Sequence, residues 1–289
     1  MKLLRWLWPW IRRHAGLMTA ALLLTLLTLA AGIGLVGVAG WFLTGAALAG
    51  SLIGFNLFAP SAMVRGLSFI RIASRYAERL SGHAATLKLL SDLRTDTFRR
   101  LIPLTPGPLT HYRHGDLAAR LTSDIDALDA ALLLGLLPTT AALAATAAFS
   151  LALGTWSALT GWTVMLVLSV TLLALPPLLR NWSDTAAANA LLQRAALQTQ
   201  AVETVDAHAD LLALGVADQA QVQWSGHSRQ LSRARLQEGR ITAVGQFLLH
   251  AAFGLCLLAV LWFGLPALHA GHVSGPVVAG AALAVLALF

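Results

Sequence analysis

The residues best equipped for chemistry lie between Arg65 and His83, where the chain reads RGLSFIRIASRYAERLSGH. At the roughly 100° per residue of a helix, Arg65, Arg71, Arg75, Tyr76, Arg79 and His83 fall within an arc of about 140°. A guanidinium is a planar fork that grips a carboxylate through two parallel hydrogen bonds, and an imidazole can exchange a proton or ligate a metal. Such a row is suited to binding anions. Residues elsewhere on the turn, such as Leu67, Phe69 and Ile70, are apolar. At membrane depth a cationic row is costly unless it faces protein, water or a ligand, which makes this one a candidate site.

The elements that must position this row follow from the distribution of charge. The 289 residues are 57% hydrophobic and only 11% charged, the composition of a polytopic membrane protein. Residues 14 to 64, 130 to 179 and 241 to 289 contain no Asp, Glu, Lys or Arg. Each block can hold two apolar helices of about 20 residues, the length that crosses a bilayer. Six spans in three hairpins are expected, with outer turns at Gly45 to Phe55, Gly154 to Gly161 and Leu265 to Gly275.

All 20 Lys and Arg lie in residues 1 to 13, 65 to 129 and 180 to 240. The positive-inside bias then places the N-terminus and both long connections in the cytoplasm of a multi-pass protein of the inner (plasma) membrane. The formal charge of +7 belongs to that bias. No basic run with interleaved aromatics points to nucleic acid. The single cysteine, Cys256, excludes an intrachain disulfide. The apolar stretch after the basic start outruns the about 7 to 15 residues of a signal-peptide core, so it is read as an uncleaved first span.

Residues 1 to 13 carry Trp6, Trp8 and Trp10 among Arg5, Arg12 and Arg13. They are read as an interfacial elbow helix whose rings sit at headgroup depth against membrane lipid. Residues 14 to 289 form the transmembrane domain. The first span is expected from Leu17 to Thr44 and the second from near Asn56, which puts Arg65 roughly 12 Å and His83 roughly 40 Å below its outer end. The second helix should continue into the cytosol as far as Leu101, before Pro103, Pro106 and Pro108. The third span is expected from Leu128 to Leu153 and the fourth from Thr163 to Leu179. A polar helix from Arg180 to Ala209 follows, then a turn at Leu211 to Gly215, a second polar helix from Gln219 to Arg240, and the fifth span. The last apolar run, Pro276 to Phe289, covers about 21 Å of helix. It falls short of a core of about 30 Å, so the sixth helix is expected to be truncated and the chain a fragment.

Six spans, an N-terminal elbow and two long inner connections resemble the transmembrane half of an ATP-binding cassette (ABC) exporter. The segment HYRHGDLAARLTSDIDAL is similar to the family's first coupling region, with Gly115, Asp116, Leu117, Arg120, Leu121 and Asp124 filling its recurring pattern. VDAHADLLALGVADQ, from Val205 to Gln219, is similar to the second. More narrowly, VRGLSFIRIASRYAERLSGHAATLK and GWFLTGAALAG closely resemble CydC-type subunits, one half of a heterodimeric cysteine and glutathione exporter linked to cytochrome bd assembly and haem binding.

The resemblance implies an all-α membrane fold, the six-helix ABC exporter transmembrane domain with long cytosolic helical extensions. It also implies a homologous partner subunit, nucleotide-binding domains and a small anionic thiol substrate. His111, Tyr112, Arg113, His114, Gly115 and Asp116, with Ala209, Leu211 and Leu212, would couple to those domains. ATP and Mg would bind in a domain outside this sequence, since no Gly-x-x-x-x-Gly-Lys-Ser/Thr loop occurs. ATPase activity is expected only of the intact protein. The resemblance also makes His83 a candidate axial ligand of haem b, with Arg79 and Tyr76 near a propionate.

Two readings of the arginine row stay open: a cavity wall that binds carboxylates, or structural pairing with acids of neighbouring helices. Glu78 is the only acid within the segment. His250 could line the same cavity or bond a neighbouring helix, and His269 with His272 is too sparse a set for metal. Alternatives to a thiol exporter are another ABC half-transporter, for lipid or drug, and a nucleotide-independent secondary transporter. The latter normally carries acids or broken helices within its spans.

Overall fold

The computed structural model describes residues 9, 12–49, 56–104, 135 and 137–288. Seven α-helices follow in order among them: α1 (Ala15–Ala49), α2 (Phe58–Leu101), α3 (Leu137–Gly154), α4 (Ala158–Asp206), α5 (His208–Ala213), α6 (Ala217–His269) and α7 (Gly275–Leu286). A short 3-10 turn, Ile102–Leu104, follows α2. No strand occurs among the described residues. Helices α1, α3, α4 and α6 are long and apolar enough to cross a membrane. Helix α2 has 44 residues, about 66 Å, but its arginines and its charged C-terminal half make it polar overall. Helix α7 is 12 residues long.

The chain divides into two compact units, one of residues Met1–Leu166 and Cys256–Phe289, the other Val167–Leu255. In the first, α1 packs on α2, α3 and α7. Small residues set these distances, because lipid offers no hydrophobic drive between helices and close backbone contact must supply the attraction. A Cβ on Gly280 would meet the Gly37 carbonyl oxygen at 2.6 Å, and one on Gly40 would meet Gly280 Cα at 3.1 Å. At the turn of the α3–α4 hairpin, a Cβ on Gly161 would lie 2.6 Å from the Ser150 carbonyl oxygen. The Asn56 side chain accepts from the Phe58 and Ala59 amides at 3.0 and 3.3 Å, satisfying donors that open α2.

Within the second unit the α4 and α6 segments run side by side. Leu179 fills the space over Gly245, Gln193 Oε1 lies 3.0 Å from His227 Nδ1, and Gln200 Nε2 donates to the Ala220 carbonyl at 3.4 Å.

Some boundaries differ from expectation. Fourth span and polar extension form one helix that carries Pro176 and Pro177 inside it, and α6 likewise joins the expected polar helix to the fifth span. The expected turn at Leu211 to Gly215 begins later. Residues through Ala213 are helical, and Gly215, at φ +66°, reverses the chain. The Gly215 amide donates to the Leu212 carbonyl and the Val216 amide to that of Leu211, closing the helix with a left-handed glycine. Most of the elbow, and residues 128 to 134 of the expected third span, lie outside the described residues.

Candidate functional site

Helix α2 meets α1 through its small and aliphatic side: Ser74, Ala85, Thr86, Leu89 and Leu93 are all buried. The apolar residues Leu67, Phe69 and Ile70 do not form one buried face. Leu67 lies over Gly34 of α1, whereas Phe69 is 73% and Ile70 40% exposed. Burial follows the i, i+4 rows that fit the neighbouring helix, and those rows run along one edge of the arginine arc.

The arc itself faces outward. Arg65, Arg71, Arg75, Tyr76, Arg79 and His83 are all exposed in the isolated chain. Arg65 Nε donates to the Ser61 carbonyl one turn earlier, at 3.3 Å. No ion pair joins any of these arginines among the described residues. Glu78, half-buried, forms none there either.

Three acids elsewhere are engaged. Asp92 meets Arg13 at 3.3 Å and His14 at 3.1 Å, Asp96 takes Arg100 at 2.7 Å, and Asp184 faces Arg180 at 3.8 Å.

One member of the row departs from the rest. A Cβ built on Gly32 of α1 would lie 3.5 Å from Arg71 Nε and 3.7 Å from its Cζ, so this guanidinium rests against the α1 backbone. Nearby, Thr28 Oγ1 donates to Ser74 Oγ at 2.9 Å in a buried bond between the two helices. Ser74 Oγ in turn donates to the Arg71 carbonyl at 3.3 Å. Sequence reasoning reads Gly32 only as one of several small residues that permit close helix packing, and passes over Thr28 and Ser74. Their only signal is smallness on a helix full of small residues, and it means nothing until α2 is docked.

His250 Nδ1 bonds the Gln246 carbonyl of its own helix at 2.7 Å, and His269 Nδ1 bonds Leu265 at 2.8 Å. Among the described residues no group of three or more His, Cys, Asp or Glu could hold a metal ion. The first expected coupling residues, His111 to Asp116, lie outside the described residues. Ala209, Leu211 and Leu212 fall on α5, at the tip of the second unit, where Leu212 is 70% exposed. Leu211 and Leu212 help line a cleft of about 480 Å³ with Val205, His208 and Trp224.

The architecture has counterparts. Residues 55–286 match the family model described as the ABC transporter transmembrane region. The chain belongs to this family. It is 31% identical over 275 residues to the glutathione/L-cysteine transport system ATP-binding/permease protein CydC of Escherichia coli, covering 94% of this chain and 47% of that one. It is 32% identical over 242 residues to the CydC protein of Haemophilus influenzae, covering 84% and 42%. To the CydD protein of Bacillus subtilis it is 31% identical over 175 residues, covering 61% and 30%. The chain thus spans less than half the length of the curated relatives it matches. What it carries is a CydC-type ABC exporter transmembrane domain, all-helical and multi-pass.

Proposed function

We propose that this domain belongs to one half of a heterodimeric, ATP-driven exporter of small anionic thiols of the cysteine and glutathione class. It would sit in the inner membrane with its N-terminus in the cytoplasm. The observation that carries the reading is the row of guanidinium groups on α2, exposed and without a carboxylate partner among the described residues. An unpaired cation at membrane depth is tolerated where water and a counter-ion reach it, and a thiol peptide brings carboxylates that fit an arginine fork.

Arg71, Arg75 and Arg79 climb the helix about 6 Å apart, which lets one ligand with two carboxylates bridge successive turns. Arg65 would extend the same wall outward. ATP and Mg would bind in an ATP-binding half of the kind that the relatives' names carry. Ala209, Leu211 and Leu212, with His111, Tyr112, Arg113, His114, Gly115 and Asp116, would transmit its motion to the spans. The organisation of Val167–Leu255 as a unit of its own supports an exchange of this hairpin with the partner subunit.

The same face supports haem b as a second ligand. His83 lies one helical turn beyond Arg79, both are exposed, and Leu80 next to Arg79 and Ile72 two turns before it are 63% and 71% exposed. His83 would hold the iron, Arg79 and Tyr76 the propionates, and the apolar side chains the macrocycle edge. Bound there, haem would bring a redox-active iron to the cavity wall.

The test replaces Arg75 and Arg79 with Ala in the intact heterodimer and measures ATPase activity against reduced glutathione. Stimulation should weaken by about tenfold or more in half-saturating concentration, as expected for lost charge-assisted hydrogen bonds. Unchanged stimulation would remove the row as a binding wall.

A further inference from the structure

The row is not a set of equivalent cations: among the described glycines, Gly32 of α1 is overlain by Arg71 and none by Arg65, Arg75 or Arg79. The three atoms nearest to a Cβ built on Gly32 are Arg71 Nε, Cζ and Cδ, at 3.5, 3.7 and 3.9 Å. The two terminal nitrogens are not among them. The stem and inner edge of the fork lie nearest α1, and the side chain as a whole is exposed, which leaves it open to end-on contact with a carboxylate. The helix segment that carries Arg71 is pinned as well, through the buried Thr28–Ser74 bond and the Ser74 contact to the Arg71 carbonyl.

We propose that Gly32 is a positioning residue for anion recognition: by leaving its surface bare, it lets α1 immobilise the Arg71 fork for end-on capture of a carboxylate. This rests on the anion-binding reading above and makes Arg71 the fixed anchor, against which Arg75 and Arg79 adjust. An arginine loses more rotamer freedom than most side chains on binding. A fork already restrained by packing gives up less of it when the ligand arrives. Lysine at residue 71 would keep the charge and lose the fork.

Packing alone does not explain this glycine. Two residues on, Gly34 faces Leu67, whose Cδ1 would lie 3.6 Å from an added Cβ. The two positions share the α1–α2 seam and nearly the same clearance, but one abuts a hydrocarbon and the other a cation. That difference separates a structural role from a positioning one.

The experiment uses the intact heterodimer in proteoliposomes. Half-saturating concentrations for ATPase stimulation are read with reduced glutathione and with its diethyl ester, in which both carboxylates are masked. Gly32→Val should raise the value for the free acid about tenfold and leave that for the ester within about twofold. Gly32→Ala, whose methyl makes ordinary contact at 3.5 Å, should shift the acid by less than about threefold. Gly34→Val should move both ligands together or neither.

Equal shifts for acid and ester in Gly32→Val, or no shift in either, would overturn the proposal, as would an acid-selective shift in Gly34→Val. Should Gly32→Val fail to assemble, a cycle of Gly32→Ala with Arg71→Lys decides. Groups in contact give non-additive effects of at least about twofold, and additive effects reject the contact as functional. If Arg75→Ala and Arg79→Ala lose acid preference and Gly32→Val does not, only Gly32 loses its role. If the wild type itself shows no preference for acid over ester, the anion-binding reading falls with it.

Discussion

His14 and Asp92, 78 positions apart in sequence, meet through His14 Nε2 and a carboxylate oxygen at 3.1 Å, and Arg13 reaches the same oxygen at 3.3 Å. This contact ties the start of α1 to the extension of α2 that lies a few turns beyond His83. The His14 side chain is 15% exposed and that of Asp92 31%, so solvent screens the pair only in part.

Replacing Asp92 with Ala should cost about 1 kcal/mol, a value discounted for the exposure of Arg13. The expected fall in Tm in detergent is about 2–4 °C, read by thermal unfolding at constant pH. An unchanged Tm would mean that the contact contributes nothing to the fold.

The α1–α7 seam should tolerate added atoms poorly. Gly280→Ala would press a methyl against the Gly37 carbonyl oxygen at 2.6 Å and Trp41 Cβ at 3.2 Å. Backbone cannot step aside, so about 1–3 kcal/mol of destabilisation is expected. Gly245→Ala should be far milder, because the Leu179 side chain that it meets can rotate away. Gly66→Ala meets nothing within 4 Å and should be neutral or stabilising, since alanine favours the helix. Tm values ranked in another order would contradict these packing assignments.

At the tip of the second unit, Gly215 holds φ at +66°. Gly215→Val should cost about 1–2 kcal/mol in backbone strain and disturb the short helix that carries Leu212. The consequence under the coupling proposal is less thiol transported per ATP hydrolysed, measured in proteoliposomes. A preserved ratio would argue against this tip as a coupling element.

Haem titration followed by absorption spectroscopy addresses His83. The intact wild type should develop the bands of a nitrogen-ligated haem, and His83→Ala should lose or shift them. Identical spectra would remove His83 as the ligand, without touching the thiol-export reading.

Much of the architecture was legible in the chain alone. Blocks free of charge marked where lipid must be, and the turn between α3 and α4 fell where Gly154 to Gly161 predicted it. The continuation of α2 to Leu101 followed from unbroken helical composition up to Pro103. Pro176 and Pro177 left no readable trace, because α4 continues through both. The tip at Leu211 to Gly215 was misjudged by a few residues, since one left-handed glycine, not the start of the polar stretch, decides where the chain turns.

The sequence by itself determined that four arginines would occupy one face of one helix, because helical periodicity is local and a bilayer penalises charge regardless of neighbours. Only the tertiary structure decided which arginine lies over the bare backbone of α1. The spacing of Arg71, Arg75 and Arg79 makes them look alike, and the distinction arises from Gly32, a residue 39 positions earlier that matters through what it lacks. The same holds for Asp92, whose partners lie on another helix. Pairings of this kind depend on how two helices are rotated against each other, and that rotation is set by small-residue contacts whose meaning exists only between elements.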